Sequence, residues 1–522
     1  MNLLFPASRF MARAAVAAAL LGALCAPALA EPQESPTPAP GSTLSITILH
    51  TNDMHGHLTP EVDKSLAPAT QKVGGAAYMS GLVRQKRAQH PGHTLLLDAG
   101  DIAQGTPISN LFSGRPTVEF MNHLGYDAGT IGNHEFDWGP ATLAALIRDA
   151  KRPIVCANLV EVATGAAPAG VKPYIIKQID GVNVGITGVV TPSTPNMSFK
   201  QNVSPFRFEN EVQTLKTLIP RMRRNGARVI IVLSHLGLKE DKALAEQVPG
   251  ISVIVGGHSH TALKDPELVN GTVIVQAGKY MRYLGCLDVT LDRKSGKVID
   301  YTRKDELVPV LDLKISPDPV VAGLIARYQA RIGPAMDQVL GQAAQDLTRT
   351  PAAGQGDSIL GDVVTDALRT KVDADVAVYN AGGIRSDFNK GPIKVSDVYT
   401  LLPFDNYLVT LKLTGDQLLR LVAQGVGDSH GTIQVSGLTF RIGAGGRPYD
   451  VKVGGQPVDP AKTYRVATVD FLAEGNDGLL VFKEVKDRVY DELARDVFTG
   501  YVKKSTPLNA PQTGRITRST AP

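Results

Sequence analysis

The chain has 522 residues, 43% of them hydrophobic and 20% charged, with 54 Lys and Arg against 50 Asp and Glu. That length exceeds what one hydrophobic core usually serves and predicts two folded domains. Setting aside Arg9 and Arg13 of the leader leaves 52 basic against 50 acidic residues, a balance that excludes a polybasic binder of nucleic-acid polymers.

Residues 1–30 predict a cleaved signal peptide. Arg9 and Arg13 precede an apolar run from Ala14 to Leu24, and Ala28-Leu29-Ala30 supplies a small-x-small cleavage pattern. The run is too short for a spanning helix, which needs roughly 20 apolar residues, so no stable membrane insertion is expected. Leu24 is bulky for lipoprotein processing at Cys25. The reading is an exported protein, periplasmic or secreted. After cleavage Cys156 and Cys286 remain, both in strand-like runs, and the sequence allows either one bridge or two buried thiols. Residues 31–43 are Pro-rich and read as a linker.

From residue 44 to about 310, short apolar runs alternate with amphipathic stretches: LSITILH, GGAAYMSGLVRQKRA, HTLLLDAGD, VEFMNHLG, YDAGTIGN, VNVGITGVV, ARVIIVLSH, ISVIVGGH and TVIVQAG. Strand candidates that end in Gly, Asn, Asp or His make an α/β pattern with chemistry at strand ends. Residues 311–344 read as a connector, with helical spacing through most of 316–343. Residues 345–518 form a second domain that opens with the helical ILGDVVTDALRTK and continues rich in strands and turns.

Five clusters hold most of the unusual polar residues of the first domain: HTNDMHGH, LLLDAGD, IGNHEFDWG, VLSHLG and VGGHSH. Each follows an apolar run, so in an α/β sheet their side chains can converge at one edge. Asp53 and His55, and again His258 and His260, stand at alternate positions and can point into one pocket. With Asp98, Asn133 and His235 they make seven candidate ligands, enough for two divalent ions sharing the two oxygens of Asp98. His134 follows Asn133 directly, and Asp137 can accept its second N–H. His50, His57, His90, His93, His123 and His430 read as structural or surface residues, and Trp138 as packing.

With these motifs in this order, the chain resembles the calcineurin-like metallophosphoesterases and, within them, the 5′-nucleotidase family that includes periplasmic UDP-sugar hydrolases and animal ecto-5′-nucleotidases. The resemblance implies an N-terminal calcineurin-like αββα sandwich, a connector helix and a C-terminal α+β substrate-binding domain. It implies Asp53, His55, Asp98 and His260 on one ion, and Asp98, Asn133, His235 and His258 on the other, the ions being Zn, Mn or similar. It makes His134 and Asp137 the catalytic dyad. In NAGGIRSDF, LLPFDN and DFLAEGNDG it implies that Asn380, Arg385, Phe404, Asn406, Phe471 and Asp477 bind substrate, the two Phe rings sandwiching the base with broad base tolerance. The chain departs from the family pattern at His260, often Gln or Asn, at Asp405, often Gly, and before GDSILGD, where an arginine is displaced to Arg349. The expected activity is release of phosphate from small-molecule nucleoside 5′-phosphates without a covalent enzyme intermediate. The alternatives are a 2′,3′-cyclic nucleotide phosphodiesterase with 3′-nucleotidase activity, a UDP-sugar hydrolase, a thiosulfohydrolase and a non-catalytic nucleotide-binding protein.

Overall fold

The computed structural model describes residues 41–518 apart from 64, 69, 428–430 and 512–513. The expected signal peptide, the linker up to residue 40 and His430 lie outside the described residues. The N-terminal half is built on two sheets. One has eight strands in the order Val298–Tyr301, Tyr283–Asp292, Thr43–Thr51, Thr94–Asp98, Ala128–Gly129, Ile154–Val155 and Val171–Lys172, with Leu307–Pro309 also pairing on Tyr283–Asp292. The other has six, in the order Glu267–Val269, Thr272–Val275, Val253–Gly256, Val229–His235, Val182–Val190 and Tyr174–Ile179.

Strand alternation explains the layers. Ile46, Ile48, Leu95 and Leu97 of the first sheet share one core with Val184, Ile186, Ile231, Leu233, Val253 and Val255 of the second, so the two sheets pack face to face. The intervening residues turn outward. Leu49 and Leu96 meet Met79, Val83, Phe120 and Met121 of helices Ala76–Gln89 and Arg115–Leu124. Ile230, Val232 and Ile254 meet Leu215, Ile219 and Met222 of helix Glu211–Arg224 and Leu244 of helix Leu238–Gln247. The result is an αββα sandwich. Its strands are long apolar runs because both of their faces are buried.

The connector is shorter than its sequence predicts. Helix Pro319–Ile332 is capped by Asp318, whose carboxylate accepts from the N–H of Val320 at 2.9 Å, and its Val321, Leu324 and Ile325 join the helical layer of the N-terminal half. It stops at Gly333 (φ 76°), and Pro334 cannot continue it. Val339–Ala343 is a strand, paired antiparallel with Gly391–Lys394. Beyond it, helices Ile359–Lys371 and Ala494–Lys504 pack around a five-stranded sheet ordered Gln434–Ser436, Val376–Tyr379, Thr463–Val469, Tyr407–Thr414 and Val489–Leu493. A four-stranded sheet flanks this α+β unit.

Cys156 and Cys286 are both free. Cys156 lies in an apolar cluster with Ile131, Phe136 and Leu159, and burial pushes its thiol up to about 12, which makes it inert. Among the described residues no helix is long and apolar enough to cross a membrane.

Candidate metal centre and substrate cavity

Strands Thr43–Thr51, Thr94–Asp98, Ala128–Gly129, Val229–His235 and Val253–Gly256 lie in parallel ladders, so the loops after them gather at one edge of the sandwich. Six described non-glycine residues of these loops hold left-handed backbone: Asp53 (φ 49°), His55 (φ 47°), Asp101 (φ 53°), Gln104 (φ 68°), His258 (φ 72°) and His260 (φ 56°). Each such non-glycine conformation costs about 1–3 kcal/mol and survives only where neighbours enforce it. Here the loops enforce one another. The N–H groups of Asp53 and His55 donate to the carbonyls of Gly100 and Asp101 at 2.9 and 3.0 Å. The N–H of His258 donates to Asp53 Oδ2 at 3.0 Å, and Asn52 Nδ2 donates to Asp53 Oδ2 and to the Gly278 carbonyl, both at 2.6 Å.

The imidazoles are aimed by their outer nitrogens. His55 Nδ1 pairs with the Gln104 carbonyl at 2.9 Å and His235 Nδ1 with the Ala99 carbonyl at 2.7 Å, which makes each Nδ1 the donor and, in the neutral ring that binds a metal, leaves Nε2 as an inward lone pair. His55 Nε2 then faces His260 Nε2 at 3.1 Å, and Asp53 Oδ1 lies 3.3 Å from His260 Nε2. His235 Nε2 lies 3.2 Å from Asn133 Oδ1 and 3.1 Å from Asp101 Oδ2. Lone pairs converging this closely fit cations between them. Among the described residues, three groups of His and Asp have ligand atoms all within 4.8 Å: Asp53, His55 and His260; His55, Asp101 and His134; and Asp101, His235 and His258. Nitrogen and oxygen donors in this mixture suit divalent transition metals.

Asp98, expected as the shared ligand, is not among them, while Asp101 stands in two of the three. Asp98 is still in register on its strand, opposite Thr51, and it accepts from Thr51 Oγ1 at 2.7 Å and from the Gly100 N–H at 3.0 Å. Burial pushes its carboxyl up to about 7, against the pull of Arg152. Asp101 lies past the strand end, where the left-handed turn after Gly100 swings its carboxylate back among His55, His134 and His235. Burial works to raise its pKa, but those imidazoles hold it well below the usual carboxylate range. The sequence signal was present in the second acidic residue of DAGD, beyond the glycine. Gly132 permits this approach, since a Cβ there would stand 2.2 Å from Asp101 Oδ1. Glu135 was also missed: its carboxylate collects the N–H groups of Asp101, Ile102 and Gly132 at 2.9, 3.0 and 2.7 Å and ties two of the loops together.

Electrostatics divide the imidazoles. Burial holds His258 down at about 3 and His260 at about 4, so both present neutral rings at ordinary pH. His55 is also held well below its ordinary value, by burial and then by Arg385. His134 moves the other way. Burial would lower it, but Asp137, whose Oδ2 lies 2.7 Å from Nδ1, and then Asp101 raise it. The main-chain N–H of His134 donates to Asp101 Oδ1 at 2.9 Å. His57 takes no part in the three groups: it stacks on Tyr280 at 3.8 Å and pairs with Glu61.

The C-terminal unit closes the site. A cavity of about 930 Å³ is lined on one side by Asp101, Asn133, His134, Asp137, His258 and His260, and on the other by Asn380, Arg385, Phe404, Asn406, Phe471 and Asp477. Asp53, His55 and His235 are fully buried. Trp138, expected only to pack, lines the cavity as well as touching the helical core. Arg385 Nη2 reaches within 3.3 Å of His55 Nε2. The Phe404 ring stands 5.8 Å from that of His134. Asn380 Nδ2 donates to Asp477 Oδ2 at 2.7 Å. Asp405 is held by Arg495 at 2.6 Å, and Arg349 donates to the carbonyl of Ile384, next to Arg385, at 2.8 Å.

Known proteins match most of the chain. Residues 46–262 match the calcineurin-like phosphoesterase model and residues 339–484 the 5′-nucleotidase C-terminal domain. A snake venom 5′-nucleotidase of Naja atra is 32% identical, over 91% of this chain and 98% of the relative. The endonuclease YhcR of Bacillus subtilis (strain 168) is 30% identical over 83% of this chain, which spans only 37% of that longer relative. The crystal structure of a 5′-nucleotidase precursor from Thermus thermophilus superposes with a TM-score of 0.86 at 32% identity, covering 92% of this chain and 100% of that one. The chain belongs to the 5′-nucleotidase family of calcineurin-like metallophosphoesterases.

Proposed function

We propose that this chain is an exported, binuclear-metal phosphohydrolase that releases phosphate from nucleoside 5′-phosphates with broad base tolerance. The observation that carries the reading is the shared cavity, with converging imidazoles and carboxylates on one wall and Phe404, Phe471 and Arg385 on the other. Asp53, His55, Asp101 and His260 would hold one divalent ion, and Asp101, Asn133, His235 and His258 the second. Such ions, when bound, supply Lewis acidity and lower the pKa of water toward neutrality.

The chain's own side chains divide the remaining work. Arg385 offers its guanidinium to the phosphate. His134, whose hold on a proton Asp137 strengthens against the effect of burial, stands where it can neutralise charge that develops on phosphoryl or leaving oxygens. Phe404 and Phe471 take the two faces of the base, and Asp477, tied to Asn380, takes ribose hydroxyls. In this reading residues 44–310 perform the hydrolysis, 311–344 connect, and 345–518 select the substrate. Its relatives include a venom enzyme, which agrees with export and a periplasmic or secreted destination.

The test is phosphate release from AMP, ADP, UDP-glucose, 3′-AMP, 2′,3′-cyclic AMP and p-nitrophenyl phosphate. The 5′-nucleotides should be preferred. A preference for the cyclic or 3′ substrate would replace this function with the phosphodiesterase reading, and a preference for UDP-glucose with the sugar hydrolase reading.

A further inference from the structure

We propose that Met197, Ser198 and Phe199, which belong to the N-terminal half, form a third wall of the nucleobase pocket. The inference rests on the nucleotidase reading and extends it, because base contact would then come from both halves of the chain. All three residues line the cavity together with Phe404 and Phe471. Phe199 meets Phe471 edge to face, with ring centroids 6.0 Å apart and 85° between planes. That geometry puts the electropositive edge of one ring against the electronegative face of the other. It fixes the orientation of Phe471 through a contact from the opposite half.

Ser198 supplies the polar part. It is 3% exposed, and its Oγ has no hydrogen-bond partner among the described residues. A buried hydroxyl without a partner is costly and points to a missing one. The Oγ itself is closed off from solvent, so a nucleobase edge, which carries both donors and acceptors, satisfies it once the hydroxyl turns toward the cavity that the residue lines.

The segment is anchored rather than loose. Thr194 Oγ1 donates to the Thr191 carbonyl at 2.7 Å. Asn202, in the short helix Lys200–Val203 that follows, donates through Nδ2 to the main-chain carbonyl of Asp137 at 2.8 Å. One stretch of chain therefore touches Phe471 near its middle and the partner of His134 at its end.

The experiment measures kcat and KM of the full mature chain on AMP, UMP and p-nitrophenyl phosphate, for wild type, Phe199→Ala, Phe199→Leu, Ser198→Ala and Phe471→Ala. Phe199→Leu keeps apolar bulk and guards against a folding defect in the alanine variant. Both Phe199 variants should lower the ratio of nucleotide to aryl phosphate kcat/KM by about three- to tenfold, mostly through KM. Ser198→Ala should change the ratio of AMP to UMP. A ratio lowered by Phe471→Ala but kept within about twofold by both Phe199 variants overturns the third wall and leaves the nucleotidase reading standing. An unchanged AMP to UMP ratio removes Ser198 from the base. No change of ratio in any variant overturns both readings.

Discussion

Asp101 Oδ2 stands 3.1 Å from His235 Nε2, while its Oδ1 accepts the main-chain N–H of His134. One carboxylate thus faces the candidate metal ligands with one oxygen and positions the candidate acid with the other. Asp101→Asn should empty at least one metal site and lower kcat by about two orders of magnitude or more. Asp98→Asn should keep the metal, because Asp98 bonds to Thr51 and to the Gly100 amide. Elemental analysis of the two purified variants checks this, and the opposite result would restore Asp98 as the shared ligand.

His134→Ala should retain near-native metal while losing about a hundredfold or more in kcat, the scale expected of an acid-base residue. Asp137→Asn should act in the same direction and more weakly, since it removes the group that raises His134 and leaves the ring in place. Metal content measured beside turnover separates this role from ligation. An emptied site with unchanged turnover per ion would contradict it.

Glu135 holds three amides of the two loops that carry Asp101 and Asn133. Glu135→Ala should weaken metal affinity by about 10- to 100-fold without removing a ligand. Chelator competition gives the number. An affinity equal to wild type would mean that the loops hold their shape without this carboxylate.

Truncating either base-stacking candidate should separate nucleotide from simple ester. Phe404→Ala and Phe471→Ala remove stacking of about 1–3 kcal/mol, so nucleotide kcat/KM should fall by about one to two orders of magnitude relative to an aryl phosphate. Kinetics on the two substrates reads the difference directly.

Asp362 offers a pH prediction away from the metal centre. It is fully buried, with Arg515 Nε 3.5 Å away, and burial pushes its carboxyl up to about 8 against the pull of that arginine. The folded state therefore keeps a proton that the unfolded chain loses near its ordinary carboxylate pKa. The stabilising contribution is complete below that value and disappears as pH rises through about 8. Asp362→Asn should flatten this decline. Thermal melts of both proteins at a series of pH values test it, and parallel pH profiles would refute it.

Much of this was legible before any coordinates. Runs such as ARVIIVLSH alternate Ile230 and Val232 toward helices with Ile231 and Leu233 toward the opposite sheet, so both their apolar continuity and their polar ends report on layer and edge. The six substrate-side residues proposed from motifs all line one cavity. Two features were hidden for one physical reason, which is that pairing decides them. Whether Asp98 or Asp101 leaves the ladder depends on its register with Thr51. Whether Val339–Ala343 is helix or strand depends on Gly391–Lys394, far along the chain. Ser198 and Phe199 carry no motif, and only the approach of Phe471 distinguishes them.

The hydrogen bond from His258 N–H to Asp53 joins positions 205 residues apart. Ions seated between their loops would act as crosslinks, closing a long span of chain much as a disulfide does. The two described cysteines form no such bridge. In this protein the reagent of catalysis would then also be the clasp of the N-terminal half, and a chelator would lower its melting temperature along with its activity.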